Sequence, residues 1–277
     1  NMRDTYNCNE SHVHDKQDTA VANLMRYCGQ AVKMGYGPSS GANFDAEVFI
    51  KYFGFDNSAY RANRSDYSID DWFDMLYNDL AEGYPICFAG FSSGGGHAFV
   101  IDGFDGENLF HLNWGWGGGS NGWFLVSILN PGDTSGIGAR SSSGYSMGQY
   151  ALLNLRLPDT NTADTYLFIK DVSVTNKTAI KATFENRTGA SGSYHMAIVR
   201  HDENGDLVTV GNQLVKTGFT NKATETKTFN INGKLPEGTY KLSPASKSTR
   251  SSEWRPKYNM RNHYIEAVVT LLLILSI

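Results

Sequence analysis

The chain has 277 residues, 40% hydrophobic and 13% aromatic, enough for one large domain or two ordinary ones with packed cores. Its net charge of −4, with no long acidic or basic run, argues against nucleic-acid binding through a basic surface. Three cysteines, Cys8, Cys28 and Cys87, cannot all pair and match no zinc spacing, so neither a disulfide framework nor a metal is indicated.

Asn1 is preceded by no initiator methionine, and no basic and apolar leader follows it, which reads as a removed signal or pro-segment, or as a fragment. Residues 15–28 carry a helical stripe of Val21, Leu24, Met25 and Cys28, with Asp15 or Asp18 as the cap and Gly29 at the end. A loop of turn formers follows, Met34-Gly35-Tyr36-Gly37-Pro38-Ser39-Ser40-Gly41-Ala42. A second helix is expected from Asn43 to Phe53, stopping at Gly54. A third begins at Ser68 with Asp71 in a capping-box relation, and it buries Trp72 or Phe73, Leu76, Tyr77 and Leu80 before ending near Gly83.

From Tyr84 the pattern becomes strands: 85–89, 97–101, 108–114, 123–128 and 150–155. Helices followed by an antiparallel sheet make an α+β layout. Residues 158–165 are polar and read as a linker. Beyond them, short strands with regular turns over residues 166–270, including a hairpin at Asn204-Gly205, suggest an immunoglobulin-like β-sandwich. Residues 271–277 are an apolar tail, and the apolar stretch 267–277 is too short for a spanning helix.

Nine of the 29 glycines fall between Gly94 and Gly119, around His97, Asn113, Trp114 and Trp116. Glycine at this density marks a backbone that turns sharply or is closely approached. If the Phe104-Asp105-Gly106-Glu107 turn centres on Asp105, His97 and Asn113 lie opposite each other on adjacent strands, with Cβ atoms roughly 4.5–5.5 Å apart. An imidazole beside an amide, with indoles adjacent, is how a hydrolase holds a histidine in one tautomer. His111 reads as a structural or supporting residue, and His12 and His14 as members of a solvated loop. No cysteine is a convincing nucleophile. Cys28 sits where a helix dipole disfavours a thiolate, Cys87 is a core residue, and Cys8 lies several polar residues before its helix. The serine pairs Ser39-Ser40 and Ser92-Ser93 lack a nucleophile elbow.

The segments Met34–Ser40, Gly95–Gly103 and His111–Gly118 closely resemble the streptopain family of bacterial cysteine endopeptidases, over roughly residues 1–157. That resemblance implies a papain-like catalytic domain over 1–157, N-terminally truncated, ahead of the sandwich. It implies a secreted or cell-surface zymogen that cleaves proteins or peptides without a cofactor. It carries the catalytic role to His97, the orienting role to Asn113, and shielding and cleft-lining to Trp114 and Trp116. Ser40 and Phe91 fall at positions that form the substrate pocket, where Phe91 is bulkier than the family's aliphatic residue. In the family the nucleophilic cysteine lies upstream of the region matching residues 1–6, so this chain is expected to lack its nucleophile and to be inactive as given. The rival is a non-enzymatic binding or adhesive protein that keeps the scaffold and attaches to a cell surface through the sandwich. Metal-dependent hydrolysis through His12, His14 and His97 carries little weight.

Overall fold

Asp15 opens the first helix, α1 (Lys16–Ala31), and closes a capping box. Its carboxylate accepts from the amides of Gln17 and Asp18, while Asp18 accepts from the Asp15 amide. The structure, a computed structural model, describes residues 15–37, 40–130, 144–158, 165–256, 265–270 and 273–276. The expected end at Gly29 is corrected: the helix runs on to Ala31, and Gly29 is buried inside it, where the Tyr36 hydroxyl crosses close over its Cα. The apolar stripe of α1 is largely exposed, with Leu24 43% and Met25 69% exposed. The spacing specified a helix, but among the described residues its apolar face is left open.

The second helix, α2 (Ala46–Phe53), is capped by Asp45 and stops at Gly54. A short strand that the sequence reading lacks, β1 (Tyr60–Asn63), comes next. The third helix, α3 (Ile69–Ala81), starts as expected at Ser68, whose hydroxyl accepts from the Asp71 amide and donates to its carboxylate. It buries Trp72, Met75 and Leu76, while Tyr77 faces outward at 42% exposure, contrary to expectation.

Strands β2 (Ile86–Ser92), β3 (Gly95–Phe104), β4 (Phe110–Asn113), β5 (Gly122–Phe124) and β6 (Met147–Leu153) join β1 in one antiparallel sheet, ordered β1-β6-β2-β3-β4-β5. The strand expected over 123–128 ends at Phe124, because the chain then turns, with the Ile128 amide bonding back to Leu125. Strand alternation gives the sheet two apolar faces. On one, Phe88, Ile101, Leu112 and Ala151 pack against Trp72 and Leu76 of α3. On the other, Leu152 and Cys87 meet Ala46, Phe49 and Ile50 of α2. Few helices and an antiparallel sheet sustain the α+β reading.

The C-terminal half is all β. Strands β7 (Phe168–Thr175) and β8 (Ala179–Glu185) form a three-stranded sheet with β11 (Thr224–Asn230). Strands β9 (Gly192–His201), β10 (Leu207–Phe219), β12 (Gly238–Ser248), β14 (Ile265–Thr270) and β15 (Leu273–Ser276) form the second sheet, with β13 (Arg255–Pro256) beside β12. The hairpin at Asn204-Gly205 joins β9 to β10. Ile180 and Phe184 from one sheet share a core with Ile198, Val210 and Leu242 from the other, so the two sheets form a sandwich. Within the expected apolar tail, Leu273–Ser276 is a strand paired to β14.

Most of the expected linker, residues 159–164, lies outside the described residues. The two halves are nonetheless fastened along β1. Arg187 pairs with Asp66 at 2.5 Å and lies 3.4 Å from the Phe168 ring centre. The Gly189 amide donates to Ala59 at 2.9 Å, Thr188 bridges to Tyr60, and Lys222 pairs with Asp45 at 2.8 Å. Among the described residues no helix is long and apolar enough to cross a membrane.

Candidate active site

His97 stands on β3 opposite Gly90 of β2. A side chain at Gly90 would come within 2.4 Å of the Tyr145 carbonyl, so its absence lets Tyr145 close over the strand and bring its ring to 5.6 Å from the imidazole. Trp116 stacks on the imidazole at 4.9 Å and 24°, and Trp114 lies nearly parallel at 6.2 Å. The indoles themselves stack at 5.5 Å. Trp114 is fully buried, and the half-buried His97 forms part of an aromatic wall with it.

The Nε2 of His97 lies 2.8 Å from the backbone carbonyl of Trp114. A carbonyl only accepts, so Nε2 carries the proton and the neutral ring keeps its lone pair on Nδ1. Burial pushes the His97 pKa below the usual histidine value, and the Trp114 carbonyl draws it partly back up. The result is a neutral imidazole of fixed tautomer with Nδ1 free to take a proton.

The expected pairing of His97 with Asn113 is corrected by the register. Asn113 pairs with Val100, Leu112 with Ile101, and after a bulge at Asp102, His111 pairs with Gly103. The connection is no two-residue turn. Asp105 gathers the amides of Glu107, Asn108 and Leu109 on its Oδ1, which makes the loop longer and holds its carboxyl below the usual carboxylate range. The longer loop and the bulge displace Asn113 by three residues and put it on the opposite sheet face from His97. Asn113 is exposed there, and its Oδ1 accepts from the Gly115 amide at 3.0 Å. The group that holds the imidazole is a main-chain carbonyl, which no residue-type pattern reveals.

The structure therefore brings His97, Trp114 and Trp116 together, and adds Tyr145, which sequence reasoning missed. Phe91 pairs with Gly96, beside the His97–Gly90 pair but on the other face, and its ring covers Gly96 so closely that a methyl there would fall 2.7 Å from it. Ser40 lies in the loop between Gly35 and Gly41, and its hydroxyl donates locally to Gly37. His111 pairs with Asp102 at 2.6 Å on the face away from His97. Cys28 is exposed near the C-terminal end of α1, and burial pushes the Cys87 thiol up to about 11. Cys8, His12 and His14 lie outside the described residues. Among the described residues no group of histidine, cysteine and carboxylate side chains could hold a metal ion.

Residues 1–124 match the Peptidase C10 family, which bears out the streptopain-type resemblance read from the motifs. Streptopain of Streptococcus pyogenes is 42% identical over 149 residues, 52% of this chain. The thiol protease/hemagglutinin PrtT of Porphyromonas gingivalis is 36% identical over 154 residues, 54% of this chain. This chain spans only 37% and 17% of the length of these two relatives. The solved structure of active interpain A cysteine protease of Prevotella intermedia is 32% identical with a TM-score of 0.46, covering 53% of this chain and 60% of that one.

Proposed function

We propose, from the premise that the first 124 residues are of the Peptidase C10 kind, that this chain carries the histidine-bearing part of a papain-like cysteine endopeptidase. The observation that carries the reading is the His97 Nε2–Trp114 carbonyl bond, which leaves Nδ1 as a base beneath a stacked indole. In the mechanism, Nδ1 takes the proton of a thiol, the thiolate attacks a peptide carbonyl, and the imidazolium returns the proton to the leaving amine. The Trp114 carbonyl steadies the imidazolium, and Trp116 keeps water from that hydrogen bond. Asn113 acts at one remove, by holding the Gly115 amide and with it the tryptophan loop. Phe91 and Ser40 are assigned to the substrate pocket by resemblance, and the sandwich is assigned an immunoglobulin-like topology on the same footing as its strand count. A secreted or cell-surface location and a zymogen stage are part of the same proposal and rest on the resemblance alone, whereas attachment through the sandwich is proposed because that half carries no cluster of catalytic residue types.

The nucleophile is not Cys87, whose thiol burial holds protonated, nor Cys28, which sits at the wrong end of its helix, and Cys8 is set aside because several polar residues separate it from the helix that follows. The 277-residue chain alone is accordingly proposed to be inactive. The test is casein cleavage by the longest reading frame that contains this sequence, with and without a thiol-directed inhibitor. His97→Ala is expected to reduce inhibitor-sensitive cleavage by at least about 10³-fold, and Cys28→Ser and Cys87→Ser to leave it unchanged. Full activity in a folded His97→Ala variant, or inhibitor-sensitive cleavage by the 277-residue chain, would overturn the corresponding part of the reading.

A further inference from the structure

Away from His97, the two halves of the molecule meet in a polar cleft of about 310 Å³, lined among others by Asp56, Thr165, Ser191, Ser193, Ser248 and Arg250. Asp56 is only 6% exposed, yet one of its carboxylate oxygens is unused: Oδ1 accepts from the Ser58 amide at 2.8 Å, and Oδ2 has no partner among the described residues. Arg250 is exposed on the same cleft and forms no ion pair among the described residues. The hydroxyls of Ser191, Ser193 and Ser248 likewise make no side-chain hydrogen bond there. Thr165 also lines a narrower neighbouring chamber of about 40 Å³, whose walls include Tyr60, Tyr67, Met75 and Phe168. Ser58 lines that chamber too, 2% exposed, with its hydroxyl buried and unpartnered.

A carboxylate and a guanidinium that share a cleft without neutralising each other, with free hydroxyls around them, suit a ligand that carries both charges. A lone anion would meet the repelling Asp56 carboxylate, and a divalent cation would find one carboxylate and a repelling guanidinium. The adjoining chamber has a mixed lining, in which the Met75 and Phe168 side chains suit a hydrocarbon side chain and Ser58, Asn154 and Arg187 are at hand for water or a polar tip. We propose that this seam binds a free α-amino acid with an apolar side chain: its ammonium on Asp56, its carboxylate on Arg250 and its side chain in the aromatic chamber. Such a ligand touches both halves at once, so it stabilises their association as well as the fold. The site depends on no assignment at His97.

Calorimetric titration of the intact 277-residue chain with L-leucine tests the proposal, with N-acetyl-L-leucine and L-leucinamide as probes that lack one charge each. Saturable binding of leucine below about 20 mM is expected, with each blocked probe weaker by about tenfold or more. Asp56→Asn and Arg250→Gln are each expected to weaken leucine by a similar factor, and leucine is expected to raise the melting temperature of the wild-type chain. Absence of saturable leucine binding, equal affinities for the three probes, or unchanged leucine affinity in Arg250→Gln would overturn it. Arg250 is exposed, so that variant decides the matter even if Asp56→Asn does not fold.

Discussion

At His97 two effects act on one proton in opposite directions. Desolvation by the aromatic wall disfavours the charged ring, and the Trp114 carbonyl favours it, with burial the larger. The folded pKa therefore lies below the unfolded one, and the unfolded chain binds more protons between the two values. Stability at this residue rises with pH through that window and is lost as pH falls below the ordinary histidine value. Nitrogen-15 NMR of the imidazole should find the proton on Nε2 at neutral pH, and a titration midpoint below that of a histidine in an unfolded control. A midpoint above the control, or a proton on Nδ1, would contradict the geometry. The histidine and the two indoles that the structure gathers along the glycine-rich stretch were legible as residue types. The carbonyl that orients the ring was not, because main-chain atoms carry no residue identity.

Among the elements, most helices and strands could be read from capping residues and periodicity, as at Asp15 and Ser68, whereas α2 begins at Ala46 behind its Asp45 cap, three residues later than the expected Asn43. Register could not be read, because a bulge at Asp102 and a loop gathered around one carboxylate each shift partners without changing the apolar pattern. Burial was only partly legible: α1 has the spacing of a packed helix yet shows its stripe to solvent. The α3–β6 contact holds a further feature that patterning missed. Asp79 on α3 is buried and accepts the amide of Asn154, where the chain leaves β6, at 2.7 Å. Burial pushes its pKa up to about 7; the Asn154 amide and Arg156 pull it down, and Glu82 pushes it up. Tyr60 on β1 is also close enough to feel its charge. Because the folded pKa is the higher one, stability falls as pH rises from about 4 to about 7. Asp79→Asn keeps an acceptor for Asn154 without the charge, so urea unfolding should show it more stable than wild type by about 2–4 kcal/mol at pH 8 and nearly equal at pH 4. A variant less stable at both pH values would contradict this account.

For the whole molecule, composition and the polar stretch near residue 160 suggested two units but said nothing of the contacts along β1 that join the N-terminal and C-terminal halves. The seam draws on Arg187, whose guanidinium meets Asp66 from the first half, Glu185 beside it, and the Phe168 ring. Its side chain is 16% exposed, so its removal strands two carboxylates in poorly solvated surroundings. Arg187→Met is expected to cost about 2–4 kcal/mol. The wild type is expected to lose both halves in one urea transition, which the variant should separate into two steps. Coincident loss of both halves in the variant, at an unchanged midpoint, would show that the seam does not couple them. The Arg187–Asp66 pair joins residues 121 positions apart, and local pattern carries no record of such a partner.

The stack of Trp116 on His97 also gives the molecule an internal optical gauge. An imidazolium held 4.9 Å from an indole ring quenches its emission, while a neutral imidazole does so far less. Tryptophan fluorescence should therefore dim as pH falls through the His97 titration, and His97→Gln should flatten that step while leaving the emission of the other indoles in place. The light from one ring would then report the charge on its neighbour in real time, with no substrate and no turnover.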